Sequence, residues 1–196
     1  MNLHPLEPQD AEQIADLAAD FYPEEMLYPA SEIAHALASA EREGGNFSVG
    51  LLERGNLKAY MLAWLEESRV EGLRESVLLI DDLALATGEV EDLRLFLSHL
   101  VQQLQSAGLT HLAIEGSLLP DTRELFLNQA RFFASLGYEL VASQDYWEEE
   151  LGAELTWVRY ERPVEDAEAE AEASTTEGWD GSEFPSMDEE FEEFPE

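Results

Sequence analysis

Val77-Leu78-Leu79-Ile80-Asp81-Asp82-Leu83-Ala84-Leu85 decides the fold of this chain. The run is apolar almost without a break, and it carries no polar alternation. That pattern suits a strand buried on both faces of a sheet, which places it at the sheet's centre. Upstream, Phe47 to Leu52 and Leu57 to Leu65 flank Glu53-Arg54-Gly55-Asn56, a good hairpin turn. A charged loop, Glu66 to Glu75, then leads into the central run.

Further from the centre the period changes. The first residues read as a short strand. Asp10 is placed to N-cap a helix, with Gln13 completing a capping box. Ile14, Leu17, Ala18 and Phe21 follow at i, i+3, i+4 and i+7. Pro23 ends that helix, and a second starts near Ser31, turns Ile33, Ala34, Leu37 and Ala38 inward, and stops at Gly44-Gly45. Downstream, Val90, Leu93, Leu97, Leu100, Val101 and Leu104 keep helical spacing, with Gly108 as the stop. His111 to Ile114 is a short strand. Asp121-Thr122-Arg123-Glu124 reads as a second capping box, opening a fourth helix that runs through Leu125, Gln129, Phe132, Phe133 and Leu136 to Gly137. Two last strands, about Tyr138 to Trp147 and Glu154 to Arg162, pair across Leu151-Gly152-Ala153. The predicted order is β-α-α-β-β-β-α-β-α-β-β, an α/β mixed sheet with helices on both faces.

Charge narrows the function classes. The 196 residues hold 44 Asp or Glu and 10 Lys or Arg, a net charge of −34. Binding to phosphate backbones needs clustered Lys and Arg, so direct nucleic-acid binding is excluded, and an anionic membrane surface with it. The longest apolar runs, Tyr60 to Leu65 and Val77 to Ile80, fall far short of the ~20 residues of a membrane span. No signal peptide is visible at the start, and a soluble, cytoplasmic protein is expected. The absence of cysteine excludes disulfides, thiolate metal sites and a cysteine nucleophile. His4, His35, His99 and His111 are scattered with no metal spacing, so no metal is expected.

The charge is divided along the chain. Residues 163–196 take 14 of the 44 acids and no base, which leaves 30 acids against 10 bases, or −20, in residues 1–162. The end alternates Glu and Ala, then turns to Ser, Thr, Gly and Pro, a composition that cannot offset the entropy of ordering. Residues 1–162 are therefore read as the folded domain and 163–196 as a disordered acidic tail. Within the tail, Glu183-Phe184-Pro185 recurs as Glu193-Phe194-Pro195, which is either a docking motif or plain solvation.

Two motifs stand in the predicted order. Ile80-Asp81-Asp82-Leu83-Ala84-Leu85 is similar to the fourth strand of the GNAT N-acetyltransferase superfamily, an acidic residue followed by Leu-Ala-Val. Ala130-Arg131-Phe132-Phe133-Ala134-Ser135-Leu136-Gly137-Tyr138 is similar to that family's fourth helix and exit. With the element order, the resemblance covers residues 1–162. It implies that the fourth and fifth strands splay to admit acetyl-CoA, and that backbone groups of Leu83, Ala84 and Leu85 hold the thioester and its developing oxyanion. It implies a pyrophosphate at the third helix's start, near Gly88, with Asn128 on the pantetheine arm. An amine would attack the thioester directly, helped by a base on or near the fourth strand and an acid near the fourth helix. Asp82 is the candidate base, and Tyr146 or Tyr138 the candidate hydroxyl, with Tyr138 placed to pack after the helix stop. Asp81 or Asp82 as a solvated strand-end carboxylate is the alternative.

The departures are as specific. The family's Arg/Gln-x-x-Gly-x-Gly/Ala loop is here Ala86-Thr87-Gly88-Glu89-Val90-Glu91-Asp92-Leu93, with one glycine, no base and three acids. The family's tyrosine, four residues before the glycine, is Phe133, which has no proton to give. Two expectations follow. One is an acyl-CoA-dependent N-acyltransferase with a lost phosphate-binding loop, whose partners are acyl-CoA and an amine. The other is a catalytically inactive acidic module of the same fold that docks on a basic protein, by nucleic-acid mimicry for example.

Overall fold

The computed structural model describes residues 2–70, 73–85, 90–149 and 151–163, with the backbone alone at residues 67–70, 73–74 and 121. Its elements are β1 (Asn2–Pro5), α1 (Ala11–Ala18), α2 (Ala30–Arg42), β2 (Val49–Glu53), β3 (Asn56–Val70), β4 (Leu73–Leu85), α3 (Val90–Ser106), β5 (Ala113–Leu118), α4 (Pro120–Leu127), α5 (Ala130–Ser135), β6 (Glu139–Glu148) and β7 (Ala153–Glu161). The seven strands form one sheet in the order β1-β2-β3-β4-β5-β7-β6. The apolar run sits in the central strand, β4, as its composition requires. Every neighbouring pair is antiparallel except β4 and β5, which α3 joins as a parallel crossover.

Two apolar layers hold the sheet. On one face, Leu78, Ile80, Leu83 and Leu85 pack with Leu93, Phe96, Leu97 and Leu100 of α3 and with Phe126 and Phe133 of α4 and α5. On the other, Tyr60, Leu62 and Ala84 pack with Ile14 and Ala18 of α1 and Ile33 and Leu37 of α2. A strand alternates sides, so Ile80 and Leu83 would ordinarily face opposite ways. A β-bulge reconciles them. Leu62 pairs with Asp82 and Ala63 with Ile80, which leaves Asp81 as the extra residue. The bulge keeps the leucines on the α3 side and turns Asp82 toward α1 and α2.

The helix stops fall where the glycines predict. After α3, Gly108 has φ 72° and the Leu109 amide returns to the Leu104 carbonyl at 2.8 Å; after α5, Gly137 has φ 83° and the Tyr138 amide returns to Phe133 at 3.0 Å.

The structure corrects several expectations. Asp10 does not cap α1 through its side chain. It accepts the Glu7 amide at 2.9 Å in a short 3₁₀ turn, Pro8–Asp10, while Gln13 accepts the Leu57 amide at 3.1 Å. No side chain caps α4 either, because that helix starts at Pro120, before the predicted capping residue. The charged stretch from Glu66 is no loop: β3 and β4 stay paired from Ala59–Leu85 to Val70–Leu73. The predicted fourth helix is two, α4 and α5, broken at Asn128-Gln129. Gln129 is buried and accepts Arg94 Nε of α3 at 2.9 Å, a tertiary hydrogen bond that no helical periodicity encodes. The acidic tail from Val164 and the segment 86–89, Gly88 included, lie outside the described residues.

Candidate functional site

β4 and β5 pair from Val77–Ala113 to Ile80–Gly116 and no further. Beyond that point β4 continues beside β3 alone, and β5 beside β7 alone. The bulge at Asp81 sits where the two strands part. The parting opens two hollows that share Tyr22, Leu83, Leu119 and Thr122 as walls. The larger, about 510 Å³, lies between Leu83 and Leu85 of β4 and the start of α4 at Pro120 and Leu125, and its walls are largely apolar. The other, about 340 Å³, lies on the α1–α2 side and reaches Tyr146 and Glu148 of β6.

Asp82 is the best-held polar group of the smaller hollow. Its Oδ2 accepts the Tyr60 hydroxyl at 2.6 Å and its Oδ1 accepts the Leu83 amide at 2.7 Å. Burial pushes its carboxyl above the usual carboxylate range, while hydrogen bonds from Tyr60, Tyr22 and the Leu83 amide pull the other way. The reciprocal effect keeps both phenols protonated: burial first, then the Asp82 charge, raises Tyr60 and Tyr22 well above an ordinary tyrosine. Tyr22 donates to the Leu83 carbonyl at 2.6 Å. Leu83 therefore has both backbone polar groups engaged, its amide by Asp82 and its carbonyl by Tyr22.

Asp81 stands beside this cluster and has no hydrogen-bond or ion-pair partner among the described residues. Its side chain is partly open to solvent yet crowded. Burial, then the charges of Asp82 and Glu66, push it up to about 6. Across the hollow, the Tyr146 hydroxyl donates to Ser117 Oγ of β5 at 3.0 Å.

The predicted site residues thus divide. Asp82, Leu83 and Tyr146 line one hollow. Leu85 lines the neighbouring one. Ala84 points into the α1–α2 layer and is 1% exposed. Asn128 lines a separate surface hollow with Arg123, Glu124 and Asp145, away from β4. Phe133 is core, 1% exposed and stacked 3.9 Å from the Tyr160 ring. Tyr22, Tyr60 and Tyr28 were not among the predicted site residues. Tyr60 has a signal in the sequence, a hydroxyl inside an apolar strand that needs a buried partner. Tyr22 and Tyr28 sit in the irregular stretch between α1 and α2, where no periodicity aims a side chain.

At the start of α3, Glu91 accepts Arg94 Nη1 at 3.2 Å, and Arg94 lies 5.5 Å from the centre of the Phe132 ring. Arg94 is a cation one turn into α3, just beyond the stretch that reads as base-free.

No protein-family model matches the chain, and no curated protein matches it by sequence. Its fold has many counterparts among solved structures. Naa50 from Arabidopsis thaliana, in complex with a bisubstrate analogue of CoA, superposes with a TM-score of 0.57 at 13% identity, over 83% of this chain and 98% of the other. Naa20 from Chaetomium thermophilum, also with a bisubstrate analogue, gives 0.60 at 15% identity, over 87% and 90%. GphF, a GNAT-like decarboxylase in complex with isobutyryl-CoA, gives 0.57 at 13% identity, over 82% and 99%.

Proposed function

We propose that this chain, which has the fold of the GNAT N-acetyltransferases, transfers an acyl group from acyl-CoA to an amine where its two hollows meet. One observation carries the reading: β4 and β5 part just after Ile80 and Gly116, and a carboxylate held by the Tyr60 hydroxyl and the Leu83 amide stands at the parting. The larger hollow, about 510 Å³ with largely apolar walls, takes the pantetheine arm. The smaller takes the acceptor.

The residues fit that chemistry in stated roles. Asp82 removes a proton from the incoming ammonium, and burial, which raises its carboxyl, makes it a stronger base than an exposed aspartate. The amine nitrogen forms a bond to the thioester carbon, the carbon–sulfur bond breaks, and the leaving thiolate takes a proton from Tyr146. Tyr22 is too firmly protonated to serve as that acid and instead fixes the Leu83 carbonyl. The Leu83 amide is the oxyanion donor. Because Asp82 already occupies it, acyl-CoA must draw the carboxylate aside, and that motion brings the base toward the amine. Arg94 supplies the cation for the phosphate end, offsetting Glu91. The fold alone does not name the reaction, since it also carries a decarboxylase.

Calorimetric titration with acetyl-CoA tests this directly. The expected result is saturable heat and a rise in Tm. No heat and no shift at millimolar ligand overturns it. Asp82→Asn should bind acetyl-CoA and lose turnover by about 100-fold or more, the ordinary worth of a positioned base.

A second reading, an inactive acidic module that docks on a basic protein, is favoured by one observation, the two engaged backbone groups of Leu83. It expects a basic partner whose binding weakens steeply with salt and no response to acyl-CoA.

A further inference from the structure

The walls of the acceptor hollow are aliphatic, and five elements furnish them. Ala18 of α1, Ile33 of α2, Leu62 of β3, Leu118 of β5 and Leu155 of β7 all line it, and each is only 4–6% exposed. The polar groups on those walls are nearly all committed. Asp82 accepts the Tyr60 hydroxyl and the Leu83 amide, the Tyr22 hydroxyl donates to the Leu83 carbonyl, and the Tyr146 hydroxyl donates to Ser117. Tyr28 and Glu148 also have interactions within the protein. Among the described residues, two polar lining side chains have no hydrogen bond or ion pair: Asp81, and Thr122 on the wall shared with the larger hollow.

We infer that the acceptor is a lipophilic primary monoamine, one ammonium on a hydrocarbon body that carries no second charge. This rests on the acyl-transfer reading above and concerns the same hollow. The ammonium belongs at Asp81, next to the base Asp82. Asp81 has no cation of its own among the described residues, and it lies beside the charges of Asp82 and Glu66. The body then meets the aliphatic walls. A second ammonium or a hydroxyl on that body would be buried among groups already taken, and an unpaired polar group is costly to bury. A carboxylate would in addition face Asp81 and Asp82, with no Lys, Arg or His lining the hollow to hold it. A peptide brings backbone amides that each need a partner, whereas a hydrocarbon needs none. At about 340 Å³ the hollow lies at the small end of ligand sites, which also favours a compact amine.

A homologous series decides it. Butylamine, pentylamine and hexylamine are titrated calorimetrically into the full-length protein, beside diaminohexane, aminohexanoate and hexanol of the same chain length as the last. Each added methylene should tighten binding by roughly threefold to fourfold, the worth of one buried CH₂. Diaminohexane and aminohexanoate should bind more weakly than hexylamine by about tenfold or more, the cost of a buried group without a partner. Hexanol should bind more weakly than hexylamine by roughly twofold to fivefold, the range of a partly exposed charge pair. Asp81→Asn should abolish that last difference, and its retained Tm shows that the change is not unfolding. With acetyl-CoA as donor, the amines should keep the same order in kcat/KM. Affinity flat across the three monoamines, diaminohexane or aminohexanoate equal to hexylamine, hexanol equal to it in the parent, no binding of any amine, or an alanine tetrapeptide outcompeting hexylamine overturns the inference. Acetyl-CoA heat reports separately on acyl transfer. Hexylamine binding without it leaves a monoamine site and removes the transferase, and acetyl-CoA heat without amine binding does the reverse.

Discussion

Tyr60 and Asp82 form the pair whose removal speaks most clearly. The phenol lowers the Asp82 carboxyl against the burial that raises it. Tyr60→Phe deletes that hydrogen bond, so Asp82 rises further and becomes a free base only at higher pH. The acid limb of kcat/KM should therefore move to higher pH, and stability should fall by about 1–2 kcal/mol, the cost of a buried acceptor losing its donor. A limb unmoved in a folded variant means that Asp82 is not the titrating base. Asp81 has the opposite relation to the fold. Its carboxyl is raised from 3.8 to about 6, so the native state favours its protonated form. The resulting penalty is absent below the unfolded value, grows as pH rises between the two, and is complete above about 6. Asp81→Asn should then be more stable than the parent at neutral pH, by no more than about 1 kcal/mol after solvent screening, and no more stable in strong acid. Thermal melts across pH check both the sign and the window.

At the scale of elements, the seam between β4 and β5 is held at its closed end by one guanidinium. Arg159 Nη1 of β7 lies 2.6 Å from both Glu75 Oε1 of β4 and Glu115 Oε1 of β5, and its Nε lies 2.5 Å from Glu161 Oε1. Burial alone would lower that guanidinium, and the carboxylates of Glu75, Glu161 and Glu115 more than offset it. Arg159→Met removes the guanidinium that Glu115, 7% exposed, shares with Glu75 and Glu161. Denaturant unfolding should show a loss of about 3 kcal/mol, and Glu115→Gln in the same chain should recover part of it. These elements also show what a sequence makes legible. The central strand, most of the helix faces and the glycine stops are local patterns that the structure has; Phe21 departs, lying past the end of α1 at Ala18 and 43% exposed, so Pro23 does not end that helix. The bulge is not local. Asp81 and Asp82 read as one interruption of an apolar run, and only pairing with Leu62 and Ala63 reveals which residue is extra. The break between α4 and α5 depends on Gln129 reaching Arg94 from another helix, and the long β3–β4 hairpin persists because backbone pairing tolerates charged side chains. Of the hollow's lining, Asp82, Leu83 and Tyr146 were named from the sequence because each lies on a strand that local pattern marks out. Tyr22 was not, because a loop decides where it goes, and Asn128, which was, lines a separate hollow because the helix breaks there.

For the whole molecule the charge is a standing load. Residues 1–162 carry 30 acids against 10 bases, and such an excess repels itself in the compact state. Raising the salt from about 0.1 M to about 1 M shortens the screening length from about 10 Å to about 3 Å. The Tm of this chain should rise over that range, whereas a chain dominated by surface ion pairs would lose stability. A flat or falling Tm would show that the acids are individually compensated.

The parting of β4 and β5 reaches beyond the hollows it opens. It divides one sheet into two antiparallel plates, β1 to β4 and β5 to β6, each continuously hydrogen-bonded within itself. Among the described residues the plates are hydrogen-bonded to each other along Val77 to Ile80 alone, with the Arg159 cluster at one end and the open mouth at the other. That is the arrangement of a clothes-peg, joined at one end and open at the other, with the α3 core lying across both arms. The width of the mouth is thus set by side chains packed far from it as well as by those that line it.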